Sequence, residues 1–164
     1  MIDATDRQIL EILQRDARTS NAELGRQIGL AASATLERVR KLEQQGVIAG
    51  YTARLDPRQL GAGLLAFVYV RTAETVAAGP TEAKLAALPE VQEVHHIAGE
   101  DCFLIKVRTA TTASLGRLLR DRIGRIEAVR STRTTIVLET VKEDTSIPLA
   151  PDAADAAGDV DHDR

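Results

Sequence analysis

The stretch NAELGRQIGLAASATLERVRKLEQQGVIAGY, Asn21 to Tyr51, decides how this chain is read. It parses as two short helices around a tight turn, followed by a return strand. Ser20-Asn21-Ala22-Glu23 is a capping-box pattern, in which Ser20 and Glu23 satisfy amide groups orphaned at a helix start. Leu24 and Ile28 lie one turn apart on the inner face, and Gly29 ends the helix. The next helix runs from Ala32 to Gln45 and ends at Gly46. Helical spacing puts Ala32, Thr35, Leu36, Val39, Leu42 and Glu43 on one side. Ser33, Ala34, Glu37, Lys41 and Gln44 fall on the other, with Arg38 and Arg40 on the flanks.

A charged outer face alone describes an ordinary solvated helix. Three neighbours turn the reading toward DNA. The preceding helix and the Gly29-Leu30-Ala31 turn have helix-turn-helix length. The second helix carries Arg38, Arg40 and Lys41. The extended GVIAGYTARLDP segment, closed by Asp56-Pro57, stands where a wing would sit. In such an arrangement Ser33, Ala34 and Glu37 occupy the first turns, which reach base edges in the major groove. Arg38 is open between a bidentate guanine contact and a phosphate contact. Arg40, Lys41 and Arg26 are read as phosphate holders, which set register without reading sequence. Glu37 is open between accepting from cytosine and pairing with Lys41 within the helix.

The net charge of −3 argues against a DNA partner until it is divided by segment. Residues 143–164 hold seven acidic side chains against Arg164, or −6. The other 142 residues carry 20 basic and 17 acidic side chains, or +3. The acidity belongs to the end of the chain, which is alanine-rich, broken by Pro148 and Pro151, and expected to be disordered. Aromatics are only 2 %, too few for the base-stacking platforms of single-strand binders. With Cys102 as the one cysteine, no internal disulfide or thiolate metal cage can form. The start MIDATDRQIL lacks a signal-peptide pattern, and no apolar run approaches membrane-spanning length. The expectation is a soluble cytoplasmic protein without a membrane partner.

Outward from the opening stretch, Ile9, Leu10, Ile12 and Leu13 form the apolar stripe of a first helix, with Asp3 and Asp6 near its positive end. From Gly63 the period changes. LLAFVYVR (64–71), VQEVHHIA (91–98), CFLIKVRT (102–109) and STRTTIVLETV (131–141) read as strands. Pro80–Leu88 and residues 112–123 read as helices, with Leu85, Leu88, Leu115, Leu118, Leu119 and Ile123 inward and Gly124 as the stop. The order β-α-β-β-α-β is the split βαβ, ferredoxin-like arrangement. The fold class is therefore α+β: a helix-turn-helix, winged-helix-like domain over 1–50, an extended linker or wing over 51–62, a βαββαβ domain over 63–142, and an acidic tail over 143–164. One sheet face needs cover, and a second copy is the simplest source.

GLAASATLERVRKLEQQGVIAGYTARLDPRQLG resembles the leucine-responsive/asparagine-regulator (Lrp/AsnC, feast–famine) family of prokaryotic transcription factors. DATDRQILEILQRDARTSNAEL, the Gly99 loop and STRTTIVLETVKE extend the resemblance over residues 2–143. It implies a helix-turn-helix over Asn21–Arg40 and a C-terminal domain that binds an amino acid and mediates assembly. Dimers that associate further, often to octamers that wrap and bend DNA, are implied as well. The family's effector pocket maps onto Ala98, Gly99, Glu100, Asp101 and Cys102, with Thr132 and Thr134 contributed by a neighbour. Two positions depart from the family pattern: Ala31 stands where a capping serine is usual, and Cys102 where the effector loop usually has aspartate.

His95 and His96 with Cys102 invite a metal or catalytic reading. Adjacent strand residues point to opposite faces, so the two histidines cannot share one ion. No metal, no catalytic residue and no cofactor beyond the amino-acid effector are expected. The expected activity is sequence-specific, effector-responsive regulation of transcription by a non-enzyme. The alternative is an architectural, nucleoid-type protein that bends DNA with little effector dependence.

Overall fold

The computed structural model describes residues 2–73, 80–99 and 102–149. The chain separates into two compact units, Met1–Ala53 with Glu143–Arg164, and Arg54–Lys142.

The first unit is helical: α1 (Ala4–Arg15), α2 (Asn21–Ile28) and α3 (Ala32–Gln44). Ile9, Leu10, Leu24, Val39 and Leu42 are buried together, with Ile12, Leu13, Ile28 and Ile48 packed against them. The pair α2–α3 is set by small volumes. A Cβ on Gly25 would lie 2.5 Å from the Leu30 carbonyl oxygen and 2.9 Å from Thr35 Oγ1. Thr35 is fully buried, and its hydroxyl donates to the Ala31 carbonyl at 3.0 Å. Gly29 ends α2 with φ +73°, the left-handed conformation glycine adopts at least cost.

Two local features differ from the sequence pattern. Ser20 does cap α2, accepting from the Glu23 amide at 3.2 Å, but Glu23 does not return the bond. Its carboxylate is taken by Arg26 and Gln27, so only half a capping box forms. The full reciprocal box is at α1, between Asp3 and Asp6. The return strand is also absent: residues 47–56 make no ladder. They are held instead by Val47 and Ile48 amides donating to the Leu42 carbonyl, by Ile48 in the core, and by the Tyr51 hydroxyl donating to Glu43 at 3.0 Å.

The second unit is a four-stranded antiparallel sheet, order β2-β3-β1-β4, from β1 (Leu64–Thr72), β2 (Val91–His96), β3 (Phe103–Thr109) and β4 (Val129–Ile136). Ala66, Val68, Val70, Phe103, Ile105 and Val107 alternate onto one face. That face is covered by α4 (Pro80–Ala86), through Leu85, and by α5 (Thr112–Arg117) with the turns that follow it. β4 begins and ends earlier than the apolar pattern suggests. Its partner β1 starts at Leu64, so pairing ends when Val137 donates to the Leu65 carbonyl. Leu138 and Val141 are left 97 % and 93 % exposed.

The last helix is not one regular element. After α5 comes a π turn, Leu118–Arg122, then a 3-10 turn, Ile123–Arg125. At regular helical spacing Arg122 would face inward with Leu115 and Leu118, and the expected Ile123 would stand at the edge of that face. The wider π turn moves Arg122 outward and puts Ile123, fully buried, in its place. Burying an unpaired guanidinium would cost several kcal/mol, more than one irregular turn.

The first part of the acidic end is ordered against α1. Gln14 donates to the Ile147 carbonyl at 3.2 Å and accepts from the Ile147 amide at 2.6 Å, while Leu149 packs on the helical core. The expected disorder of residues 150–164 lies outside the described residues. Among the described residues no helix is long and apolar enough to cross a membrane.

Gly25→Ala should destabilise the fold by about 1–3 kcal/mol, because the carbonyl it strikes cannot swing aside. Ala31→Ser should stabilise it by about 0.5–2 kcal/mol, since α3 has no side-chain cap. Urea titrations followed by circular dichroism measure both.

Candidate nucleic-acid interface and effector site

The outer face of α3 is made of Ala32, Ser33, Glu37, Arg40, Lys41 and Gln44, all exposed, with Ala34 half-buried beside them. Glu37, Arg40 and Lys41 make no ion pair or side-chain hydrogen bond among the described residues. The intrahelical Glu37–Lys41 alternative is therefore not adopted.

Arg38 has a different position. Its Nη1 donates to Asp3 Oδ2 at 2.7 Å and to Asp6 Oδ1 at 2.8 Å. The other oxygen of each aspartate is used in the α1 capping box: Asp6 N donates to Asp3 Oδ1 and Asp3 N to Asp6 Oδ2. Four carboxylate oxygens thus serve one helix start and one guanidinium. The Asp6 amide, then Arg38, hold the Asp3 carboxyl below its ordinary value, and Asp3 in turn raises Arg38. Asp6 is 8 % exposed, so the clamp reaches into the domain. The sequence placed these aspartates only as charges near a helix start. The signal that could have found the clamp is the D-x-x-D spacing facing an arginine on the helix flank.

Arg26 is also engaged. Its Nε and Nη2 donate to the two oxygens of Glu23 at 2.9 and 2.6 Å. Arg26 and, after it, Gln27 lower the Glu23 carboxyl to about 2. Of the basic side chains expected to meet DNA, Arg40 and Lys41 have no partner among the described residues.

In the second unit, the loop between β2 and β3 lies at the sheet end that also holds the start of β4. The Cys102 amide donates to the Val70 carbonyl at 3.0 Å, and Thr132 is paired with Val70 from the other side. Thr134 is two pairs further in, opposite Val68. Gly99 has φ +133°, and a Cβ there would meet nothing within 4 Å. Conformation requires the glycine, while the space beside it is open. Glu100 and Asp101 lie outside the described residues. Cys102 is half-buried against the core, and its carbonyl accepts from the Ile97 amide. An open cavity of about 500 Å³, unforeseen from sequence, adjoins β2 and the start of β3. It is lined by Glu82, Ala83, Ala86, Val94, His96 and Phe103.

His95 and His96 are on opposite faces. His95 Nε2 is 3.2 Å from Glu93, which also accepts from Lys106, while the His96 ring lies 5.2 Å from that of Phe103. On the face away from the helices, the Arg133 guanidinium sits 3.9 Å over the Tyr69 ring.

Residues 2–43 match the AsnC-type helix-turn-helix domain, and residues 65–147 match the Lrp/AsnC ligand binding domain. The chain belongs to the Lrp/AsnC family. As a member it is an effector-responsive transcriptional regulator that binds DNA. It is 42 % identical over 145 residues to the leucine-responsive regulatory protein of Escherichia coli K12, covering 87 % of this chain and 88 % of that protein. Escherichia coli AsnC superposes with a TM-score of 0.84 at 34 % identity, over 90 % of this chain and 99 % of that one. The feast or famine regulatory protein Rv3291c of M. tuberculosis, complexed with L-methionine, superposes with a TM-score of 0.82 at 35 % identity, over 90 % and 99 %. Lrp/AsnC proteins are regulators, not enzymes.

In this Lrp/AsnC chain, Arg38→Ala should cost more stability than Arg40→Ala, which should stay within about 0.5 kcal/mol of the parent. Because the Asp3 carboxyl is lowered in the folded state, its stabilisation is complete above the ordinary value of 3.8 and lost as pH falls below it. Thermal midpoints along an acid series should fall less steeply for Asp3→Asn. An equally steep fall would mean that the clamp has no part in acid unfolding.

Proposed function

We propose that this regulator senses an amino acid at the β2–β3 end of its sheet, through Ala98, Gly99, Glu100, Asp101 and Cys102, with Thr132 and Thr134 from a neighbouring copy. The observation that carries the proposal is the Gly99 backbone, in a glycine-favoured conformation with open space around it. Amide groups approached that closely can hold an α-carboxylate. The adjoining cavity offers apolar walls for a side chain. Relatives solved with L-methionine, from M. tuberculosis and Neisseria meningitidis, support the ligand class. Asp101 or Glu100 would meet the effector's ammonium in place of the usual aspartate, with Cys102 as pocket wall.

On the DNA side, Ser33, Ala34 and Glu37 read base edges, while Arg40 and Lys41 hold phosphates. Arg38 acts by fixing α3 on α1 and does not itself read the groove. Arg26 reaches phosphate only by exchanging its Glu23 carboxylate. The copies assemble as homodimers and then octamers, in the cytoplasm. The exposed Leu138 and Val141, and the half-buried Phe67, Tyr69 and Leu104 on the helix-free face, support a second copy as cover. Effector and DNA then act on each other through assembly, each changing the other's affinity by the same factor.

A thermal-shift screen against the twenty amino acids tests the sensor. A ligand at about 100 times its Kd should add about 2.7 kcal/mol of stability. Gly99→Val should abolish that shift and Cys102→Asp should alter which amino acid gives it. A ligand held equally well by both variants would place the pocket elsewhere.

A further inference from the structure

The nine residues Arg117 to Arg125 contain four arginines and one aspartate. Leu118 and Ile123 are buried, Leu119 is half-buried, and Arg117, Arg120, Arg122 and Arg125 are all exposed. Asp121 is engaged by Arg120 at 3.2 Å. Arg117, Arg122 and Arg125 make no ion pair or side-chain hydrogen bond among the described residues. The π turn is part of the arrangement, since it delivers Arg122 to the surface rather than to the core. Gly124 lies between Arg122 and Arg125, and Ala113 and Gly116 precede the stretch, so no bulky exposed apolar side chain stands among the arginines.

We infer that this arginine ridge on the effector domain is a second DNA-binding surface, which takes the phosphate backbone of duplex flanking the recognition site. Charge complementarity selects a polyanion. A second copy of the same ridge would face it with like charge. A lipid surface is disfavoured because the exposed side chains include no large apolar group to enter the interface. Single-stranded nucleic acid is disfavoured because no aromatic residue lies on this stretch to stack a base. Duplex phosphates need only fixed positive charge, and guanidinium forks match them in pairs. The need for such charge is visible in the other unit. Arg38 and Arg26 are already paired there, leaving α3 with only Arg40 and Lys41 for phosphates. The inference rests on the family's DNA binding, and is independent of which α3 side chains read bases.

The test compares two duplexes carrying one operator, about 25 bp and about 150 bp long, the first spanning two half-sites and the second a persistence length. Affinities are taken over a salt series for the parent, for Arg117→Gln/Arg122→Gln/Arg125→Gln, and for the same triple with lysine. The glutamine triple should bind the short duplex as the parent does. On the long duplex its slope of log K against log salt should be shallower by about 0.9 for each phosphate that the ridge no longer neutralises. The lysine triple should keep the parent slope. Arg125→Gln alone should show about one such step and covers the case of a triple that misfolds. A parent-like slope on the long duplex overturns the inference and leaves an acidic protein as the partner to seek. Equal weakening on both duplexes, or a change in oligomer size by sedimentation, also overturns it, since the ridge would then serve folding or assembly.

Discussion

Everything the first unit does depends on how closely α3 is allowed to approach α2. The limit is set by Gly25, whose missing side chain leaves room for the Leu30 carbonyl and the Thr35 hydroxyl. With that approach made, Thr35 is sealed, and its hydroxyl is paired by donating to the Ala31 carbonyl, while the first amides of α3 have no side-chain cap. Val39 and Leu42 then follow onto the core at helical spacing, and the polar stripe is presented by default. Arg38 adds a second restraint from the opposite side. It links the helix that meets DNA to the first turn of α1 through aspartates that already cap that turn. Direction is therefore given to α3 by these two short-range interactions together with the burial of Val39 and Leu42.

The effector unit reaches order by other means. Its sheet follows simple alternation, and the helices pack by Leu85, Leu115, Leu118 and Ile123. The irregularities are where charge meets the core. The π turn resolves a conflict in which Arg122 occupies a core position of the regular pattern. Lys106 and Arg108, on the helix-free face of β3, are satisfied by Glu93 and Gln92 across the strand pair. Such cross-strand pairs hold polar groups on a face that also carries Phe67, Tyr69 and Leu104, and so leave it ready for a partner.

Much of this is legible in the chain because the signals are local. The stops at Gly29 and Gly46, the inward leucines and the four strands all follow from spacing between near neighbours. What escapes depends on residues far apart in sequence. The ends of β4 are decided by where β1 begins, which no pattern inside 131–141 records. The role of Arg38 is decided by Asp3, 35 residues away. The half-formed box at Ser20 escapes because Glu23 has better donors in Arg26 and Gln27 than in one backbone amide. In the effector loop, glycine at 99 is readable as a bend, whereas the packing of Cys102 against the core needs the register of the sheet.

The pairing of Gln14 with Ile147 spans 133 residues and makes the first unit discontinuous in sequence. A ribosome releasing this chain from its N-terminus exposes the three helices early, with the α1 surface around Gln14 still bare. The segment that covers it arrives only after the whole sheet has been synthesised. Closing so long a loop carries an entropic cost that falls once the intervening domain has folded and drawn its two ends in. Docking of Ile147 and Leu149 therefore follows synthesis of the effector domain and is favoured once that domain has folded. Completion of the DNA-binding unit thereby waits on the last part of the chain to be made.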